Sequence, residues 1–442
     1  MTPRHLETTA LARRLIAQNK RPTVTENATL QTAISALRDT VRKLNAQFND
    51  IDFALAVIPP DAAPDAELKT QYAQLQQELD SAQELLAIHT TAITLIRQIP
   101  VEVLEIIFVF TLPRSNPASP SKTEAPLLLG QICCAWRRVA LTTPRLWSSL
   151  SLSLDRRPGE WRHLIETWLG RSGDCPLTMS FIKGTNSAYY FNEHVIRMLR
   201  PYAKRWRHLL LDLSAVTTVK LLSTTLPLLE TIQVNTQGES AGLYLSTADV
   251  PRLKRVHFVG DRLHPKGIQL PYRQLTDLRV QSAPCSLDDV YRILTNCQNL
   301  VQCAVSISST STATQNSLQH RPVHLPHLRE LTVKGSIATP AIASFFPELR
   351  TPKLETLELV NITDSESGSF GLHDESPLAV FARASNIRKL TLLGDNPEAD
   401  LFQMVVAIPS LREVLIGNVD GGDVWTPENV RHALEMRGEP EV

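Results

Sequence analysis

"PRLKRVHFVGDRLHPKGIQLPYRQLTDLRV", residues 251 to 280, holds one six-residue frame twice: Leu253, Val256 and Phe258, then Leu275, Leu278 and Val280. The last three positions of each frame alternate apolar and polar, the period of a strand with one buried face. The frame returns as Trp206-Leu209-Leu211, Leu229-Ile232-Val234, Leu300-Cys303-Val305, Leu328-Leu331-Val333, Leu354-Leu357-Leu359, Ile387-Leu390-Leu392 and Leu411-Val414-Ile416. Successive frames begin 22 to 33 residues apart, so each reads as one strand plus its connection in a repeating array. Such a strand buries only alternate residues, and stacking repeats into a parallel sheet completes the core. A proline often precedes the frame, as in "LPLLETIQV", "LPHLRELTV", "TPKLETLEL" and "IPSLREVLI". Upstream, "SLSLSL" and "PLTMSF" read as leading strands that cap the array.

With the fourth and sixth positions of a frame turned inward, the third and fifth face the other way. These are Thr231 and Gln233, Arg255 and His257, Asp277 and Arg279, Glu330 and Thr332, Thr356 and Glu358, Lys389 and Thr391, Glu413 and Leu415. A basic middle of Arg255, His257 and Arg279 gives way to a more acidic end of Glu330, Glu358 and Glu413. This face is expected to hold a target protein; the alternative is an ordinary solvated sheet surface.

The front of the chain has a different period. Leu30, Ile34, Leu37, Val41, Leu44, Phe48, Ile51 and Leu55 alternate spacings of four and three, a heptad seam. The prolines of "PPDAAPD", residues 59 to 65, end it, and a second seam runs from Leu68 through Tyr72, Leu75 and Leu79 to Ile96. An antiparallel helical hairpin over 26–98 closes each seam on the other, with homodimerisation through the same seams as the alternative. His89, on a seam position, reads as packing. Residues 1–25 are expected to be a flexible tail.

In "QIPVEVLEIIFVF", Pro100 and Glu102 suit a helix's first turn, and Ile99, Val103, Ile106, Ile107 and Phe110 make one apolar face. Beyond "LPRSNPASPSKTEAP", the stretch "QICCAWRRVALTTPRLW" puts Leu128, Ile132, Trp136, Val139 and Ala140 on one face of a second helix. Cys133 and Cys134 are neighbours pointing about 100° apart on a helix, a poor arrangement for holding one metal ion.

These two segments resemble the F-box. Its opening is matched by Ile99, Pro100, Glu102, Val103 and Leu104, with Ile107 and Phe108 in register; its second half is matched by Ile132-Cys133, Trp136-Arg137, Pro144 and Leu146-Trp147. The resemblance implies that Pro100, Glu102, Leu104, Ile107 and Ile132 bind a Skp-type adaptor. It also implies that Cys133, Trp136, Leu146 and Trp147 form the core of the module. Residues 113 to 126 depart from the family as a longer connection between the halves, whose tolerance follows from the slow growth of loop entropy with length. The frames downstream resemble leucine-rich repeats, and "WLGRSGDCPLTMSF" resembles a large class of fungal F-box proteins. The expected fold is therefore an N-terminal helical hairpin, an all-α F-box-like module over 99–147, and a leucine-rich-repeat-like α/β solenoid over 148–442. By the same resemblance the chain is expected to be the substrate-recognition subunit of a Skp–cullin–F-box ubiquitin ligase. A protein-interaction scaffold without ubiquitination is the alternative.

Composition narrows the rivals. Lys plus Arg and Asp plus Glu both number 45, so no net field attracts nucleic acid or an anionic membrane. Six cysteines without C-x-x-C spacing point to a reducing compartment, cytoplasmic or nuclear. No phosphate loop, dinucleotide fingerprint or H-E-x-x-H is present, so no cofactor and no enzyme activity are expected. Gly238-Glu239-Ser240-Ala241-Gly242 matches the hydrolase nucleophile pattern, but it falls on a connection between frames, where glycines ease a turn; a serine hydrolase at Ser240 is the remote alternative. His320, His324 and His327 in "HRPVHLPH" have ligand-like spacing on a helix, which the two prolines within the run forbid, and no metal is expected.

Overall fold

The computed structural model describes residues 3–18, 20–56, 66–94, 96, 99–114, 117–153, 158–182, 193–235, 243–259, 268–308, 322–336, 345–361, 377–394, 408, 410–418 and 421–425. The chain divides into two units: residues 1–113 with 121–146, and residues 114–120 with 147–442.

The first unit is helical: α1 (Pro3–Gln18), α2 (Val24–Ala56), α3 (Ala66–Ala92), α4 (Val101–Phe110), α5 (Leu129–Ile132) and α6 (Cys134–Thr142). α2 opens on a reciprocal cap. The Glu26 N–H donates to Thr23 Oγ1 at 3.2 Å and the Thr23 N–H to the Glu26 carboxylate at 2.8 Å, which satisfies two amides that the first turn leaves without partners. α2 and α3 run antiparallel: Phe48, late in α2, lies 4.7 Å ring to ring from Tyr72, early in α3, while Leu30 and Ala92 share a cluster at the opposite end.

A hairpin alone is not what forms. Residues 3–18, expected within a flexible tail, are the helix α1, which buries Ala12 and Leu15 against Leu30 and Ala92, with Leu11, Ile16 and Ile88 packed around them. The loosely amphipathic face of α1 has an apolar seat there, and three helices share it. His89 is buried in the same region; its Nδ1 donates to the Leu85 carbonyl at 2.7 Å and its Nε2 lies 3.3 Å from Thr8 Oγ1.

The second unit contains β1 (Ser149–Ser153), β2 (Leu177–Ile182), β3 (Trp206–Asp212), β4 (Thr231–Asn235), β5 (Leu243–Tyr244), β6 (Arg255–Val259), β7 (Ile268–Gln269) and β8 (Asp277–Cys285). It continues with β9 (Gln302–Ile307), β10 (Val323–His324), β11 (Glu330–Gly335), β12 (Leu349–Arg350), β13 (Thr356–Asn361), β14 (Lys389–Leu393), β15 (Glu413–Asn418) and β16 (Gly421–Trp425). Its helices are α7 (Pro158–Arg171), α8 (Glu193–Leu199), α9 (Ala215–Leu222), α10 (Leu287–Thr295) and α11 (Pro377–Ala384). Among the described residues twelve strands form one sheet in the order β1-β2-β3-β4-β6-β8-β9-β11-β13-β14-β15-β16. Every neighbouring pair is parallel except β15 and β16. The short pairs β5–β7 and β10–β12 stand apart.

Local chemistry explains each strand start. Leu229, Leu253, Leu328 and Leu354 donate their N–H to the carbonyl three residues back, on Leu226, Val250, Leu325 and Thr351. Pro227, Pro251, Pro326 and Pro352 occupy the second position of these turns, where a fixed φ near −65° costs nothing. The residue after each frame's first apolar position extends the ladder: Lys254 donates to the Glu230 carbonyl, Thr276 to Lys254 and Arg329 to Val301. The first, fourth and sixth frame positions are buried throughout, Leu411 being the most exposed at 8%.

The expected succession of hairpin, all-α module and repeat solenoid is thus corrected to one large α/β sheet with a few helices before it. The connections are unlike one another: α7 follows β1, α8 and a 3-10 turn follow β2, α9 follows β3, a two-residue strand follows β4, and α10 follows β8. The sheet starts two strands before the first frame and ends on an antiparallel strand.

Candidate functional site

The segment resembling the F-box spans both units. Pro100 caps α4 with φ −57° and ψ 149° and, like Glu102, is exposed. On α4 only Leu104 and Phe108 are buried, and the Phe108 ring meets Trp136 of α6 at 4.8 Å. Five of the other apolar side chains point outward: Val101 is 52% exposed, Val103 45%, Ile106 53%, Ile107 40% and Phe110 70%. Solvent-facing aliphatic side chains in this density, on one ten-residue helix, mark an interaction surface more often than chance. Ile132, at the end of α5, is 55% exposed, and Leu128 42%.

Several sequence expectations need correction here. Leu104, expected to touch an adaptor, is buried beside Phe108, because it lies one turn before Phe108 on the inner face of α4. The second helix is not continuous: Cys133 is extended, at φ −160° and ψ 169°, so α5 and α6 are separate helices. Leu128 and Ile132 therefore do not share a buried face with Val139 and Ala140. Cys133 is half-buried and its sulfur caps α6, accepting from the Trp136 N–H at 3.4 Å. Trp147 belongs to the sheet unit: it packs edge-on against Trp168 at 4.9 Å, with the Arg171 guanidinium 4.5 Å over its ring. Leu146 is fully buried in the helical unit. The 113–126 connection is divided too, for Ala118 bonds β1 in both directions, to Ser149 Oγ at 3.1 Å and from the Ser151 N–H at 2.7 Å.

The second surface is the open face of the sheet. Strand register places the third frame positions in one row, Thr231, Arg255, Asp277, Gln302, Glu330, Thr356, Lys389 and Glu413. The fifth positions form a second row, Gln233, His257, Arg279, Ala304, Thr332, Glu358, Thr391 and Leu415. The basic middle of the sequence reading is partly neutralised. Asp277 is buried between the rows, its Oδ2 3.2 Å from His257 Nε2 and its Oδ1 accepting from Arg279 Nε at 3.3 Å. Burial alone would raise the Asp277 pKa, but the hydrogen bond and charge of His257 and the guanidinium of Arg279 hold it below the usual carboxylate value. The chain of contacts continues from Arg279 to Gln302 Oε1 at 3.2 Å and from Gln302 Nε2 to Glu330 at 2.9 Å. Arg255 donates to Thr231, Thr332 donates to Glu358 at 2.9 Å, and Lys389 pairs with Glu413. Asp277, the hub of the face, was visible in sequence only as one outward residue among many, since its partners, His257 on the adjacent strand and Arg279 on its own, meet only in the folded sheet.

Ser240 and His320 lie outside the described residues; His324 and His327 are exposed. Among the described residues no group of three His, Cys, Asp or Glu side chains could hold a metal ion, and no helix is long and apolar enough to cross a membrane. No protein-family model matches this chain, and no curated protein matches it.

Proposed function

We propose that the protein is a substrate receptor in a Skp–cullin–F-box ubiquitin ligase, working in the cytoplasm or nucleus, with α4 docking on the Skp-type adaptor and the open sheet face holding the target protein. The observation that carries this reading is the outer side of α4, where Val103, Ile106, Ile107 and Phe110 stand exposed beside Pro100 and Glu102 in a segment that resembles the F-box opening. An apolar stripe of this kind is costly to leave in water and gains by being covered. A receptor needs no active-site residue of its own; it raises the effective concentration of target lysines near the transferring enzyme.

The test is co-purification of a Skp-type adaptor with the full chain, wild type against Val103→Asp/Ile107→Asp. Both side chains are already exposed, so the double variant is expected to keep its fold by circular dichroism and to lose the adaptor. A wild-type chain that brings down no adaptor ends the reading. An adaptor without cullin favours the interaction scaffold instead.

A further inference from the structure

The charges left over on the open sheet face are not spread evenly. On β6 and β8, Arg279 pairs with the carboxylate of Asp277 while Arg255 donates only to the neutral Thr231 among the described residues, which leaves one positive charge in surplus. On β11 and β13, Glu330 and Glu358 accept hydrogen bonds, among the described residues, only from the neutral Gln302 and Thr332. Neither forms an ion pair among the described residues, and counting Lys334 on the same face still leaves one negative charge in surplus. Beside them, Arg329 pairs with Glu355 at 3.6 Å and Lys389 with Glu413.

The spacing is fixed by the sheet. Arg255 and Glu330 are three strands apart (β6, β8, β9, β11), and Arg279 and Glu358 are again three apart (β8, β9, β11, β13). At about 4.8 Å per strand each pair spans about 14 Å. An extended chain lying across the strands advances about 3.3 Å per residue, so it covers that distance in about four residues. Four is even, and side chains four apart in an extended segment point the same way, both toward the sheet.

We infer that the target is held by an extended segment lying across β6 to β13, with an acidic side chain over Arg255 and Arg279 and a basic side chain four residues away over Glu330 and Glu358. The inference rests on the reading of this face as the target-holding surface. It accounts for why, among the described residues, the carboxylates of β11 and β13 accept only from neutral donors: the unmatched charges are what a complementary segment would satisfy.

Selection of a random displayed peptide library on the full chain tests it. The variants are Arg255→Gln/Arg279→Gln and Glu330→Gln/Glu358→Gln, which remove charge without burying a new one, and thermal melts verify their folding. Wild type is expected to enrich peptides with Asp or Glu and Lys or Arg four apart. The arginine variant should lose the acidic preference and the glutamate variant the basic one, each binding the wild-type consensus peptide about fivefold more weakly, by fluorescence anisotropy. Enrichment of peptides whose binding both variants weaken, but without the four-residue spacing, overturns the inference and leaves the face as a binding surface. No enrichment, or binding indifferent to both variants, overturns the inference and the assignment of this face to the target together.

Discussion

Asp277 concentrates the electrostatics of the sheet face in one carboxylate, and its burial makes it sensitive to what surrounds it. Its folded pKa is depressed, so the folded state binds fewer protons than the unfolded chain. The stabilisation is therefore present above the unfolded carboxylate value of about 3.9 and is lost as pH falls through the lower folded value. Asp277→Asn keeps the shape but removes the charge that His257 and Arg279 face, and is expected to cost about 1–3 kcal/mol at neutral pH. Urea unfolding across a pH series checks both parts: the variant should be less stable at neutral pH and should show a shallower loss below about pH 4. His208 adds a second limb of opposite origin. Its burial first, then Arg207 and Arg255, depress its pKa, so the folded state resists protonation and stability declines as pH falls below the unfolded value of about 6.5. His208→Gln should flatten that limb and leave the Asp277 limb unchanged.

At the scale of elements, α4 shows why a helix can be read correctly and faced wrongly. Its apolar positions Val103, Ile106, Ile107 and Phe110 and its start at Pro100 are plain in sequence, because the 3.6-residue period and the missing N–H of proline are local. Which side becomes the core is not local: it is set by Trp136, 28 positions after Phe108, whose ring takes up Phe108 and so draws Leu104 inward. The break at Cys133 was equally hidden, since an extended residue between two short helices leaves the apolar spacing almost intact. This division yields a sharp contrast. Phe108→Ala removes a fully buried ring and is expected to cost about 3–5 kcal/mol, whereas Ile107→Ala, one residue earlier and exposed, should stay within about 0.5 kcal/mol. Thermal or urea unfolding of the two variants separates them, and equal losses would mean that the outer side of α4 is itself packed.

Across the whole molecule, the strands were legible because each frame carries its own period and many follow a proline-marked turn, and parallel register then follows from pairing like positions. The connections were not, because nothing in a polar loop of 16 to 27 residues fixes whether it forms a helix, a 3-10 turn or a two-residue strand until it meets the sheet. The same sheet sets the chemistry of its cysteines. Cys285, Cys297 and Cys303 are buried in consecutive elements around α10, and burial pushes the Cys285 and Cys303 thiols up to about 12 and Cys297 higher still. A thiol held that high is almost entirely protonated at neutral pH, and the thiolate is the form that reacts. Cys134, on the surface of α6, is exposed. With the native chain and iodoacetamide at neutral pH, peptide mass spectrometry should find Cys134 alkylated rapidly and the three sheet cysteines unmodified, their labelling appearing only with denaturant. Their alkylation rate then reports the opening of the sheet, because reagent reaches them only when the strands that bury them separate. If the three label as fast as Cys134 in native buffer, the core around β8 and β9 opens far more readily than a sheet with the first, fourth and sixth positions of its frames buried allows.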